Sequence, residues 1–206
     1  MKLLHRPDLF CWSEFNSERN IDFHSIAWIR PDENVLVDPL PLSGHDWEHL
    51  KSLGGAKWII VTNSDHIRAS LEIAEKTGAQ IAAPGGEKDT FPIPVQRWLV
   101  DGDVVVPGLD SLAEPALCVI ALHGSKTSGE LALVLEETTL ITGDLVRAHQ
   151  AGSLMLLPDG KLVDKSQAIA SVLRLAQLRK IEAVLVGDGW QIFHDGHIRL
   201  QELINS

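Results

Sequence analysis

Basic residues are scarce in this chain. Eighteen Lys and Arg stand against 28 Asp and Glu, a formal net charge of −10 over 206 residues. Nucleic-acid backbones are gripped by clustered Lys and Arg, so this balance argues against a nucleic-acid partner. Cysteine is scarcer still. Cys11 and Cys118 are far apart, which argues against a Cys-based metal site. Both read as buried free thiols in a reducing compartment. No apolar run approaches the ~20 residues needed to span a bilayer. The first residues carry no apolar stretch of signal-peptide length. The expectation is a cytoplasmic protein with no membrane partner. Gly85-Gly86 is not followed by Lys-Ser/Thr, so it is no phosphate loop. His45 and His49 lie four apart, but no Glu follows His45, and they read as surface histidines on an amphipathic helix.

What is present suits one domain over residues 1–206 with a full core: 45% hydrophobic and 22% charged residues. Residues 1–20 read as an edge strand or covering segment. Strands are predicted over 23–29 and 34–37 with a turn at 30–33, and over 57–62 and 80–83. A further pair, 97–100 and 104–106, flanks a hairpin turn at Asp101-Gly102-Asp103. Ser43 marks the start of a helix closed by Gly54-Gly55. Ile67, Leu71 and Ala74 share one face of a second helix that ends near Gly78. Asp164 and Gln167 form a capping box for a third, running to about residue 180, with Ile169, Val172, Leu173 and Ala176 as its buried stripe. The last apolar strand covers 181–186.

The chain is organised around residues 116–146. An apolar strand, 117–122, ends on His123, and a small-residue turn runs from Gly124 to Gly129. A hairpin follows, 131–135 and 138–142, with Glu136-Glu137 between its strands, and ends on Gly143-Asp144. Strands deliver the residues that terminate them to the rim of a sheet. Here those residues are a histidine and an aspartate, two common metal-ligand types.

That layout, His123-Gly124-Ser125-Lys126-Thr127-Ser128-Gly129 followed by Thr142-Gly143-Asp144, resembles the metallo-β-lactamase superfamily. The resemblance implies an α/β (α+β) fold, a four-layer αββα sandwich of two mixed sheets with helices outside. It also implies that His123 and Asp144 are metal ligands, and that Asp38, ending an early strand, braces the site from behind. Members carry Thr-His-x-His-x-Asp-His after the strand that here ends at Thr62. This chain has Asn63-Ser64-Asp65-His66, so Asp65 and His66 match and the paired histidines are missing. Asp188, in Gly187-Asp188-Gly189, stands where members have a histidine.

The expected rim therefore holds Asp65, His66, His123, Asp144 and Asp188, with Arg147 and His149 as substrate contacts and Asp65 and His123 as the catalytic pair. Such a rim suits at most one divalent metal, zinc, iron or manganese. The resemblance then implies a hydrolase that opens a small ester, thioester or lactone with metal-activated water. The alternative is a degenerate, catalytically inactive fold that binds a small ligand or another protein, with no metal. The two differ in one respect. A metal-free rim must neutralise its carboxylates with hydrogen bonds, Lys or Arg, whereas a metal-holding rim converges their oxygens on one point.

Overall fold

The computed structural model describes residues 1–31, 33–105 and 117–205. Seven strands of the first half lie side by side in chain order: β1 (Lys2–Leu3), β2 (Leu9–Asn16), β3 (Ile21–Trp28), β4 (Val35–Val37), β5 (Trp58–Ile60), β6 (Gln80–Pro84) and β7 (Arg97–Leu99). Neighbours from β1 to β4 are antiparallel, and β4 to β7 run parallel. Parallel neighbours need long crossovers, and two of these are helical. α1 (Gly44–Ser52) links β4 to β5, and α2 (Ser70–Thr77) links β5 to β6. Ser43 starts α1 by accepting the Asp46 N–H, as its position before the helix predicts.

The second half builds a four-stranded sheet in the order β13-β10-β9-β8. Its strands are β8 (Leu117–Leu122), β9 (Glu130–Leu135), β10 (Thr139–Thr142) and β13 (Ala183–Val186). A separate ribbon, β11 (Val146–Gln150) and β12 (Ser153–Leu156), precedes α3 (Lys165–Ala176), and α4 (Gly196–Ile204) ends the chain. β10 pairs antiparallel with β9 and parallel with β13, so this sheet is also mixed. Glu136 and Glu137 turn the β9–β10 hairpin at φ 46° and 59°, the mirror-image turn that fits strand twist.

The layers follow from which residues share a core. Ile26, Val37 and Ile60 of the first sheet pack against Val119, Leu133 and Leu185 of the second. On its outer face the first sheet packs Leu36 and Ile59 against Leu50 of α1 and Ile73 of α2. The second sheet packs Val134 and Val184 against Val172 and Leu175 of α3 and Leu200 of α4. Helix, sheet, sheet, helix is the expected αββα sandwich. No helix among the described residues is long and apolar enough to cross a membrane.

Several local expectations need correction. In α2 the buried residues are Ser70 and Ile73, while Leu71 is exposed. In α3 the buried stripe is Ala168, Ser171, Val172, Leu175 and Ala176, and Ile169 and Leu173 face outward. Val172 and Ala176 of the predicted stripe in α3 are buried as expected, while the small Ala168 and Ser171 take the places beside them that Ile169 and Leu173 were expected to fill. Asp101-Gly102-Asp103 closes no hairpin: β7 ends one sheet, and Val104 bridges to Cys118 in the other. Cys118 is half-buried, not buried like Cys11. Val106, in the predicted strand over 104–106, and Asp32, in the predicted turn, lie outside the described residues.

Candidate functional site

The ends of β4, β5, β10 and β13 meet at one rim, and each is followed by a polar residue. Asp38 follows β4, Asn63 to His66 follow β5, Asp144 follows β10 and Asp188 follows β13. The loop after β13 is stitched to the first sheet. His24 donates its N–H to Gly187 O, Gly189 donates to Asp22 O, and Phe23 bridges Asp188. Two glycines let the loops close in. A Cβ on Gly143 would lie 2.7 Å from Thr62 Oγ1, and one on Gly187 would lie 3.0 Å from His66 Cε1.

His66 is the hinge of the arrangement. Its Nδ1 lies 2.8 Å from Asp38 Oδ2, and its Nε2 lies 3.4 Å from Asp144 Oδ2. Asp38 is itself fixed, since Thr62 donates its N–H to Oδ1 and its hydroxyl to Oδ2. Burial alone would keep the His66 ring neutral, but the carboxylates of Asp38 and Asp144 outweigh it and lift its pKa to about 10. Asp144 is just as buried. Burial would raise its pKa, yet His66 and Lys126 hold it well below the usual carboxylate range. Lys126 Nζ lies 2.8 Å from both Asp144 Oδ2 and Asp65 Oδ2. Arg147 reaches Asp144 Oδ1 at 3.1 Å and Asp188 Oδ2 at 3.4 Å. Asn63 donates its side-chain N–H to Asp144 Oδ2 at 3.1 Å. Behind Asp144, Glu130 is buried, accepting from the Ser125 hydroxyl and the Leu145 N–H. Burial and the Asp144 charge push Glu130 up to about 7, against those two bonds.

A cavity of about 350 Å³ opens onto this group, lined by Arg19, Phe23, Leu40, Asp65, His66, Arg68, Lys126, Asp144 and Asp188. Of the residues predicted from sequence, Asp65, His66, Asp144 and Asp188 therefore come together. His123 does not. It is exposed, and it lines a separate cavity with Pro84, Leu99 and Gly129. The turn after β8 carries the chain past it and brings Lys126 to the rim instead. Arg147 is buried against two carboxylates rather than open to the cavity, and His149 is exposed on β11, outside the lining. Asp65 does not cap α2, whose start at Ala69 has no side-chain cap; its own N–H is held by Asn63 Oδ1.

Sequence reasoning missed Lys126, Arg19, Arg68, Glu130 and the role of Asn63. Lys126 had a signal, as the sole charged residue in the turn from Gly124 to Gly129. Asp38 is where a bracing carboxylate was expected.

One ring nitrogen of His66 and one oxygen each of Asp144 and Asp188 lie within 4.8 Å of one another, the one such group among the described residues. Asp188 Oδ1 is buried with no hydrogen-bond partner, so a ligand atom is left over. Asp38 on the far side of His66 is the carboxylate–histidine support that metal sites use to aim a ring. One imidazole and two carboxylates suit a divalent zinc, iron or manganese ion. These residues fit one ion; Lys126 occupies the space between Asp65 and Asp144.

A sequence model of the metallo-beta-lactamase superfamily matches residues 1–206. No curated protein matches the sequence. Among solved structures, a metallo-beta-lactamase from Pontibacter korlensis is 14% identical, with 99% of this chain and 98% of that one covered at a TM-score of 0.74. One from Erythrobacter litoralis, with β-mercaptoethanol in its active site, is 13% identical over 98% and 95% of the two chains, with a TM-score of 0.74. One from Pseudomonas aeruginosa, in a mono-zinc form, is 13% identical over 96% and 90%, with a TM-score of 0.69. At such identities the structural likeness speaks for the fold alone. The family match over the whole length carries the assignment, and the chain belongs to the metallo-beta-lactamase superfamily.

Proposed function

We propose that this chain is a hydrolase that holds a single divalent ion, zinc, iron or manganese, at His66, Asp144 and Asp188 and opens a small ester, thioester or lactone. The observation that carries the reading is the spare oxygen of Asp188 beside a histidine aimed by Asp38. Such an ion, when bound, polarises a carbonyl oxygen and lowers the pKa of water. Asp38 keeps a proton on Nδ1 of His66, which leaves Nε2 as the ligand atom. Arg147 holds the Asp144 and Asp188 carboxylates at a fixed separation. Lys126 stays charged: burial works against its ammonium, but Asp144 and Asp65 raise its pKa. From the cavity wall it can donate to a carbonyl oxygen as negative charge develops there. Asp65, about half exposed, is the carboxylate placed to take a proton from attacking water. A cavity of about 350 Å³ suits a small substrate.

A second reading is favoured by one observation. Lys126 and Arg147 already pair with Asp65, Asp144 and Asp188 without any ion. On that reading the chain is a catalytically inactive member of the fold that binds a small ligand or a protein. Elemental mass spectrometry of protein purified without chelator, beside Asp144→Ala, separates the two. About one equivalent of zinc, iron or manganese, lost in the variant, is expected. No bound metal, even after reconstitution with these ions, would sink the hydrolase mechanism and leave the second reading.

A further inference from the structure

Two guanidinium groups stand on the cavity wall with no ion pair among the described residues. Arg19 lies in the turn between β2 and β3, and Arg68 lies between the Ser64–His66 turn and α2. Both sit over the ring of Phe23, with Cζ 5.8 Å and 5.9 Å from its centroid. Phe23 bridges Asp188, so this wall adjoins the His66–Asp144–Asp188 group. Arg68 Nη1 donates to the carbonyls of His24 and Asp38, and the side chain of Arg19 makes no hydrogen bond among the described residues. Among those residues neither arginine forms an ion pair. In a chain with 28 acidic residues and 18 basic ones, two arginines gathered on one ring and left unpaired call for a reason.

Arg68 supplies a second observation. Its backbone lies at φ 46°, the left-handed region that strains an L-residue and suits glycine. The fold tolerates that strain and gains a guanidinium in the cavity, and strained backbone of this kind gathers where a side chain is needed for binding.

We propose that Arg19 and Arg68 form a receptor for an anionic group, a carboxylate or phosphate, on the compound that enters this cavity. The two planar forks match carboxylate and phosphate oxygens. Lys126 and Asp144 line the same cavity, so a molecule held by its anionic end at the arginines can place a neutral, electrophilic end beside them. This deepens the hydrolase reading and rests on it for the reactive end only. The anion site needs no metal.

The test is calorimetric titration of chelator-treated protein with succinate, inorganic phosphate and uncharged succinamide. At least one anion is expected to bind, with affinity falling as salt rises, and succinamide is not. Whichever anion binds tighter names the group. Arg19→Gln should weaken it about threefold to tenfold and Arg68→Gly about tenfold or more. Arg19 is exposed and makes no structural bond, so its variant folds. Arg68→Gly relieves the strained φ but also gives up the bonds to the His24 and Asp38 carbonyls, so its urea unfolding is measured beside the titration to show that it folds. No binding of either anion, equal binding of succinamide, or wild-type affinity in the Arg19→Gln/Arg68→Gly double variant would overturn the proposal. Because the metal is absent throughout, failure here leaves the metal content of the purified protein, and the hydrolase reading with it, standing on its own result.

Discussion

Glu130 allows a sharp test of how this rim is charged. It opens β9, is 1% exposed, and accepts from the Ser125 hydroxyl and the Leu145 N–H. Burial and the Asp144 charge lift it from 4.5 to about 7. A carboxyl whose folded pKa is raised holds more protons in the native state than in the unfolded state between those two values. Stability therefore falls as pH rises from about 4.5 to about 7, and is flat beyond. A gap of that size corresponds to ~3 kcal/mol. Glutamine can keep both contacts, its carbonyl accepting from Leu145 and its amide donating to Ser125. Glu130→Gln should then gain ~3 kcal/mol relative to the wild type between pH 4.5 and 7.5, whatever constant offset the substitution adds. Urea unfolding with chelator present, followed by fluorescence of the six tryptophans, measures this difference directly. The other shifted groups cancel. The depressed Asp144 contributes stability that is lost only as pH falls through its low folded value, below this window. His66, raised to about 10, contributes stability that is full below 6.5 and fades towards 10 in both proteins. A difference that stays constant across the window would refute the reasoning, because Glu130 would then titrate alike folded and unfolded.

Lys126→Met should tighten zinc binding, measured by competition with a chelator, by about tenfold or more, because the ammonium competes with an ion for Asp144 Oδ2. Weaker binding in that variant would mean that Lys126 organises the ligands instead of competing for them. Gly189→Ala should cost roughly 2–4 kcal/mol in thermal denaturation, since its Cβ would lie 2.1 Å from Ala148 O on a backbone at φ 98°. Gly160→Ala, with nothing within 4 Å, is the matched control and should be near neutral.

Strand ends were the legible part of this protein. Apolar runs bounded by turn residues fixed most of the sheet strands, and the residues just past them, Asp38, Asp65, His66, Asp144 and Asp188, do meet at one rim. Side-chain reach was not legible. The segment after β8 offers a histidine and, three residues on, a lysine; only the path of the turn decides that Lys126 arrives and His123 stays outside. Gly124 fixes that path, with φ 80° and a Cβ position 2.1 Å from Asp164 O, where no side chain fits. Helix faces were only partly legible, for a related reason. In α3, Val172 and Ala176 are buried as the spacing predicts, but Ala168 and Ser171 complete the buried face where close approach favours small residues, and Ile169 and Leu173 face outward. Arg19 and Arg68 come from opposite sides of the chain's β3 strand, and neither lies in a motif that sequence spacing can single out.

Charge ties the single-ion reading to the anion site. Asp38, Asp65, Asp144 and Asp188 bring four negative charges to the rim, and Lys126 and Arg147 return two. With no ion, the proton on His66 offsets part of the remainder. One divalent ion in place of that proton offsets all of it, and a second would leave the rim as positive as it had been negative. Glu130, pushed up to about 7, shifts this balance by only part of a charge near neutral pH. Lys126 therefore does what a second ion would otherwise have to do, keeping Asp65 and Asp144 from repelling each other. Arg19 and Arg68 are then left as cations with no ion pair among the described residues. An anionic substrate supplies that pairing, in the same cavity whose carboxylates the ion and Lys126 have offset.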